Sequence, residues 1–177
     1  MTTQQNFETR SPHLKHLSHA MHGSLARGQW PRLLLACPAE SVRSLARRWC
    51  EKHDVQDVQL PQSGLALLKL CDSAQGDAYY PGEVPLSLAR VRVTAADGCS
   101  SEGAAQVLDD RASLARAIAV IDAVLAGQLP GHEEVWPLLA AGQSRLDEQT
   151  AQRHALLTST RVDFSLLGSS DGENDDE

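Results

Sequence analysis

Residues Ala89–Ala95 read ARVRVTA, an alternation of small apolar residues with arginine and threonine. Because successive side chains of a strand point to opposite faces, the pattern predicts a half-buried strand with a basic outer face. A turn, Ala96-Asp97-Gly98, follows the strand, and Ala105–Leu108 is a candidate returning strand. Connections this short leave no room for crossover helices, so the sheet is predicted to be antiparallel.

Further strand candidates precede this stretch. Val55–Leu60 is a weak one, ended by Pro61, and the short apolar run Leu65–Leu70 predicts a buried strand. Asp72–Asp77 reads as a turn, and a second turn is predicted at Gly82-Glu83, just before the alternating stretch.

Amphipathic helices are predicted around these strands. Apolar residues recur at helical spacing from Val42 to Cys50, and this helix ends near His53. A second helix runs from about Arg111 to Gly127, and a third spans roughly Glu133–Ser159. The pattern predicts an α+β fold, in which amphipathic helices flank a small antiparallel sheet of three or four strands and the last helix is long.

The length of 177 residues fits one folded domain with two polar ends. We predict a flexible, histidine-rich extension at 1–27, a folded domain at 28–168 and an acidic, disordered tail at 169–177. No apolar run approaches the roughly 20 residues of a membrane span, and the first residues lack an apolar signal core. We therefore expect a cytoplasmic protein that does not contact membranes. Its four cysteines form no CxxC pair, so we expect free thiols.

The net charge of −7, without basic residues interleaved with aromatic ones, makes nucleic-acid binding unexpected. His13, His16, His19 and His22 recur at every third residue. Imidazole binds metals, but a spacing of three drifts around a 3.6-residue helix, so the four rings cannot share one face. We favour a flexible extension and predict no metal site.

Two acidic sites are candidates for chemistry. Glu83 could act as a general base, but a turn with a solvated glutamate fits the sequence better. Asp109-Asp110 could hold magnesium, but capping of the following helix is the stronger interpretation. The sequence has no nucleotide-binding, zinc-protease or hydrolase motif. No catalytic residue and no cofactor are predicted.

The segment Arg161-Val162-Asp163-Phe164 follows the long helix. If it is extended, Val162 and Phe164 point one way and the two charged residues the other. It is either a strand packed on its own domain or a docking arm inserted into another subunit, and we predict these four residues to bind a partner. Gly82 and Glu83 are a second candidate for a position near that partner.

Several of these stretches resemble a known family. Thr160–Phe164 resembles the C-terminal TRVDFF signature of the PhnG family, subunits of the bacterial carbon–phosphorus lyase core complex. The likeness covers about residues 28–168. The other stretches that fall in the family's order are Trp30 with Leu33–Cys37, Tyr79–Val84, Ala119–Ala123 and Pro137-Leu138.

Three positions depart from the family pattern. Ser87-Leu88 stands where the family usually has a Thr-Arg pair, Asp109–Arg111 replaces Gly-Arg-Asp, and Ser165 replaces the second phenylalanine of the signature. The likeness marks the chain as a divergent member, and no role is carried over to those side chains.

The resemblance implies a process and a set of partners. In the family, PhnG acts with PhnH, PhnI and the ATPase PhnL on ATP and a phosphonate. The phosphonate displaces adenine from the ribose C1′, giving a ribose 1-phosphonate 5-triphosphate, and PhnJ later breaks the carbon–phosphorus bond. PhnI is thought to carry the nucleosidase chemistry. The resemblance thus implies a non-catalytic or co-catalytic subunit of a hetero-oligomer, inactive alone.

Two other functions stay open on sequence alone. A stand-alone adaptor could bind an acidic partner through the basic N-terminal section, and a metal-handling protein could use the histidines. Genes for the other core subunits beside this one would favour a subunit of the carbon–phosphorus lyase complex. A stable monomer would favour an adaptor, and bound zinc or nickel at equal stoichiometry would favour metal handling.

Overall fold

A computed structural model of the protein describes residues 25–160. Within this range the helices and strands follow one another as α1 (Trp30–Leu35), α2 (Ala39–Lys52), β1 (Asp54–Cys71), β2 (Ala78–Thr94), β3 (Ser100–Val107), α3 (Ala112–Ala126) and α4 (Trp136–Ser159). Short 3-10 turns lead directly into α1 and α4. The predicted α+β class is confirmed, with a small antiparallel sheet and a long last helix.

The sheet has the order β1-β2-β3, and both pairs are antiparallel. In β2 the predicted alternation is confirmed, because Ala89, Val91 and Val93 are buried while Arg90 and Arg92 are exposed. The buried positions form the face of the sheet against which α3 packs.

Helix α3 is the centre of the core. The sequence predicted one apolar face, but eleven of its fifteen residues are buried, since the sheet, α1 and α2 surround it. Several of these residues are alanines, whose small side chains allow close approach. Gly103 of β3 uses that space, and a Cβ added there would lie 2.1 Å from the backbone oxygen of Ala119.

The first two strands are longer than predicted. The candidates Val55–Leu60 and Leu65–Leu70 belong to one strand, β1, that runs through Pro61. The pairing with β2 shifts register between Gln59 and Gln62, around that proline. Because β1 is an edge strand, the missing N–H of proline is tolerated there.

The predicted turn at Gly82-Glu83 is wrong, because both residues lie within β2. Gly82 pairs with Leu68 and Glu83 with Leu67. The chain instead reverses direction between β1 and β2 at the predicted turn Asp72–Asp77. There the Asp72 carboxylate accepts hydrogen bonds from the backbone N–H groups of Ala74 and Gln75. These hydrogen bonds, from Gln75 above all, lower the pKa of Asp72.

The long helix α4 packs through its first half. Gly142 lies against the backbone of Leu33 in α1, where a Cβ would be 2.2 Å from the Leu33 oxygen. From Asp147 to Thr160 every residue is exposed, which agrees with the polar middle of this segment in the sequence. The second half of α4 is therefore a surface helix.

The start of the described range already belongs to the packed domain. Leu25 is half-buried against the core, and Arg27 pairs with Asp122 of α3. The division at residues 27 and 168 stays a prediction; Leu25 and Arg27, which it assigns to the extension, contact the packed domain. The four cysteines are free, as predicted. None of the helices between residues 25 and 160 is long and apolar enough to cross a bilayer.

Candidate partner-binding surface

Strands β1 and β2 continue beyond the end of β3. β3 pairs with β2 only from Ser87 to Thr94, whereas the β1–β2 pairing continues to Cys71 and Ala78. Residues 64–71 and 78–86 thus form a two-stranded extension of the sheet. We call this extension, together with residues 58–63 that precede it on the edge strand β1, the ribbon.

The ribbon is rich in exposed apolar side chains. Ten large apolar residues are exposed in the described range, and seven of them lie on the ribbon: Val58, Leu60, Leu65, Leu67, Leu70, Tyr79 and Tyr80. The prediction of a buried strand at Leu65–Leu70 is therefore wrong, since Leu65 is 69% exposed and Leu67 61%. Large exposed apolar side chains concentrated in one part of a fold are typical of a site of protein association.

Apolar residues line both faces of the ribbon. Leu65 pairs with Pro85 and Leu67 with Glu83, and these positions continue the face that α3 covers farther along β2. On the opposite face, the half-buried residues Ala66 and Val84 pair across the strands, and half-buried Leu86 lies opposite exposed Gly64. A partner that binds here can contact apolar side chains on either face.

Glu83 is exposed beside Leu67. Its surface position agrees with the solvated glutamate that the sequence favoured over a general base. The predicted partner-binding residues Arg161–Phe164 and the four histidines lie outside the described residues. Only Thr160, the C-terminal cap of α4, is described next to that segment.

An ion pair between the exposed Arg27 and the buried Asp122 ties the first described residues to the centre of the core. The Asp122 carboxylate accepts hydrogen bonds from Arg27 Nε at 2.9 Å, from Arg27 Nη2 at 2.7 Å and from the Ala104 backbone N–H at 3.0 Å. Arg27 Nη2 also donates to the Glu102 backbone oxygen. The hydrogen bond to Asp122 raises the pKa of Arg27. With every carboxylate oxygen engaged, this arrangement is a structural clamp.

The Glu102 side chain forms a second, exposed cluster with two arginines of β2. Its carboxylate accepts hydrogen bonds from Arg92 and Arg90, which lower its pKa. The sequence alone predicts neither cluster. The one signal for the first is Asp122, an aspartate inside the apolar run of α3.

We expect Asp122→Ala to lower the free energy of unfolding by about 2 kcal/mol, because it removes three hydrogen bonds to a buried carboxylate. The matched control is Glu102→Ala, which removes a surface carboxylate that also binds two arginines and should cost much less stability than Asp122→Ala. Urea unfolding of both variants measures the difference. Equal losses would contradict the clamp.

The acidic pair Asp109-Asp110 does not cap α3, so the capping prediction is wrong. The Asp109 carboxylate accepts the backbone N–H and the guanidinium of Arg111, the residue that precedes the first turn, and no side chain caps α3. The hydrogen bond from the Arg111 side chain lowers the pKa of Asp109. Across residues 25–160, no group of three or more His, Cys, Asp or Glu side chains is placed to hold a metal ion.

Comparison with known proteins gives one result that bears on this surface. The model of a family described as "Phosphonate metabolism protein PhnG" matches residues 25–168, most of the chain. The match begins at Leu25, which packs against the core. No curated protein matches the sequence.

Proposed function

The chain belongs to the PhnG family of phosphonate metabolism proteins, and from that membership we propose that it is a subunit of the carbon–phosphorus lyase core complex. The observation that carries this proposal is the ribbon, where seven large apolar side chains are exposed. A domain that works alone gains nothing from such a surface, whereas a subunit buries it against a partner.

In this proposal the chain supports a reaction carried out by the assembly. The assembly transfers a phosphonate to the ribose C1′ of ATP, the bond from C1′ to adenine breaks, and adenine leaves. The partners are PhnI-, PhnH- and PhnJ-like subunits, with a PhnL-like ATPase joining transiently, in the cytoplasm. The chain contributes binding surface, and the PhnI-like subunit contributes the chemistry.

We expect the purified full-length chain to release no adenine from ATP above the uncatalysed rate, with or without a phosphonate. The full set of partner subunits with this chain should release adenine, and the same set without it should lose most of that activity. Chromatographic detection of adenine measures each mixture. Turnover by the chain alone would reveal an active site within it. Full activity without the chain would contradict the proposed role.

A substitution at Phe164 tests whether the segment Arg161–Phe164 is a docking arm. An aromatic anchor in a desolvated pocket contributes about 2 kcal/mol or more to binding, so Phe164→Ala should greatly reduce co-purification with the PhnI-like subunit. The melting temperature of the isolated variant should stay within a few degrees. If Phe164 instead fills the domain's own core, the substitution costs about 3–5 kcal/mol of stability and the isolated variant unfolds.

A further inference from the structure

β1 is an edge strand, and one part of it is open to pairing. From Gln62 to Leu68 it pairs with β2 in unbroken register, with Leu88 opposite Gln62 and Gly82 opposite Leu68. On its other side, no strand of the described range pairs with it. Register shifts bound this seven-residue stretch, which we call the open edge, at Gln59/Gln62 and at Leu68/Leu70.

The features that usually block pairing at an edge strand lie on either side of the open edge and not within it. Folded proteins block exposed edges with proline, lysine and bulges. Here Pro61 precedes the open edge, Lys69 follows it, and the irregularities in pairing lie at its two ends. Its own sequence, QSGLALL, has no ionisable side chain. An added strand would therefore meet regular backbone groups and no charge.

We propose that the open edge receives an extended, uncharged segment of about seven residues from the PhnI-like subunit, the large partner, and that this segment adds to the sheet as a strand beside β1. Apolar side chains at alternate positions of that segment pack against Leu65 and Leu67. The inference rests on the proposed function and names how the partner is bound there.

The ribbon's second strand favours a different protein, rather than a second copy of this chain, as the occupant. Two copies of this chain paired through their β1 edges would cover the open edges. They would leave Tyr79 and Tyr80 exposed, because both tyrosines belong to β2. A larger subunit that adds a strand to β1 can also enclose the end of the ribbon at the Asp72–Asp77 turn and cover these tyrosine rings.

Residue-resolved hydrogen exchange of the full-length chain tests the strand directly. In an antiparallel ribbon, alternate backbone N–H groups of the open edge point away from β2, and they should exchange fast in the free chain. In complex with the co-expressed large subunit, the same N–H groups should slow by about 100-fold or more. If the complex forms while they remain fast, strand addition is wrong and the proposed function stands.

A pair of proline variants gives an independent test. Leu65→Pro and Ala66→Pro remove neighbouring N–H groups, one directed to β2 and the other to the open edge. The variant that loses the outward group should keep its melting temperature and weaken binding by about tenfold or more, as expected for a lost backbone hydrogen bond at a buried interface. The other variant should loosen the ribbon itself.

Three results would overturn the proposal. One is parental affinity in the proline variant that keeps its melting temperature. Another is a stable dimer of the isolated chain, in sedimentation, whose open-edge N–H groups are already protected, since the occupant is then a second copy. The third is the absence of any complex with the large subunit, which would remove the proposed function as well.

Discussion

Replacement of Leu65 and Leu67 with serine should weaken binding to the large partner subunit by about 1000-fold. Each leucine, buried at the centre of an interface, contributes about 2 kcal/mol, and 1.4 kcal/mol corresponds to a factor of ten. The isolated chain should keep its melting temperature within a few degrees, because the two side chains are 69% and 61% exposed and contribute little to its own core.

The chain offers a matched control for this double variant. Leu156 and Leu157 of α4 are 68% and 64% exposed, so their replacement with serine removes the same kind of surface elsewhere. Isothermal titration with the large subunit and thermal melts of the free chains compare the two pairs. Equal losses of affinity would mean that the ribbon has no special part in binding, and a collapse of the melting temperature would mean that it belongs to the core.

Gly103→Ala should lower the free energy of unfolding by about 3 kcal/mol, because β3 lies too close to α3 for any side chain. The added Cβ would be 2.1 Å from the Ala119 oxygen and 2.4 Å from the Ala123 nitrogen, and both atoms are backbone. The helix or the strand must shift to relieve these contacts. For a domain of this size the loss corresponds to a fall of about 10 °C in melting temperature.

Gly64→Ala is the control for this substitution, since a Cβ at Gly64 meets nothing within 4 Å. It should leave the melting temperature almost unchanged. Calorimetry or urea unfolding of both variants decides the matter. If Gly103→Ala unfolds at the same temperature and urea concentration as the parent, the close packing of β3 on α3 is not as described.

The elements predicted best from sequence are those whose burial is decided within the chain. The alternation of β2 around Val91 and Val93 reflects one face against α3 and one face in water, and both environments belong to the domain itself. The position of α3 was also predicted closely. The burial of α3 on nearly all sides could not be predicted, because alanines that permit close packing occur on buried and exposed helix faces alike.

The ribbon was misjudged for a physical reason. The sequence of Leu65–Leu70 carries an apolar pattern, but a pattern does not tell which molecule provides the burial. Pro61 also looked like the end of a strand, because the tolerance of an edge strand for proline depends on sheet order. The pair between Arg27 and Asp122 joins residues 95 positions apart, and one sequence does not reveal such a partner.

The open edge of the ribbon also bears on how much of this chain a cell can hold. Before assembly, it presents a charge-free template for pairing with any extended polypeptide, which favours aggregation of orphan copies. We expect overproduction without the large subunit to divert part of the chain into inclusion bodies, and balanced co-production to give a higher yield of soluble protein. The abundance of the chain would then follow the supply of its partner, since quality-control proteases remove the excess.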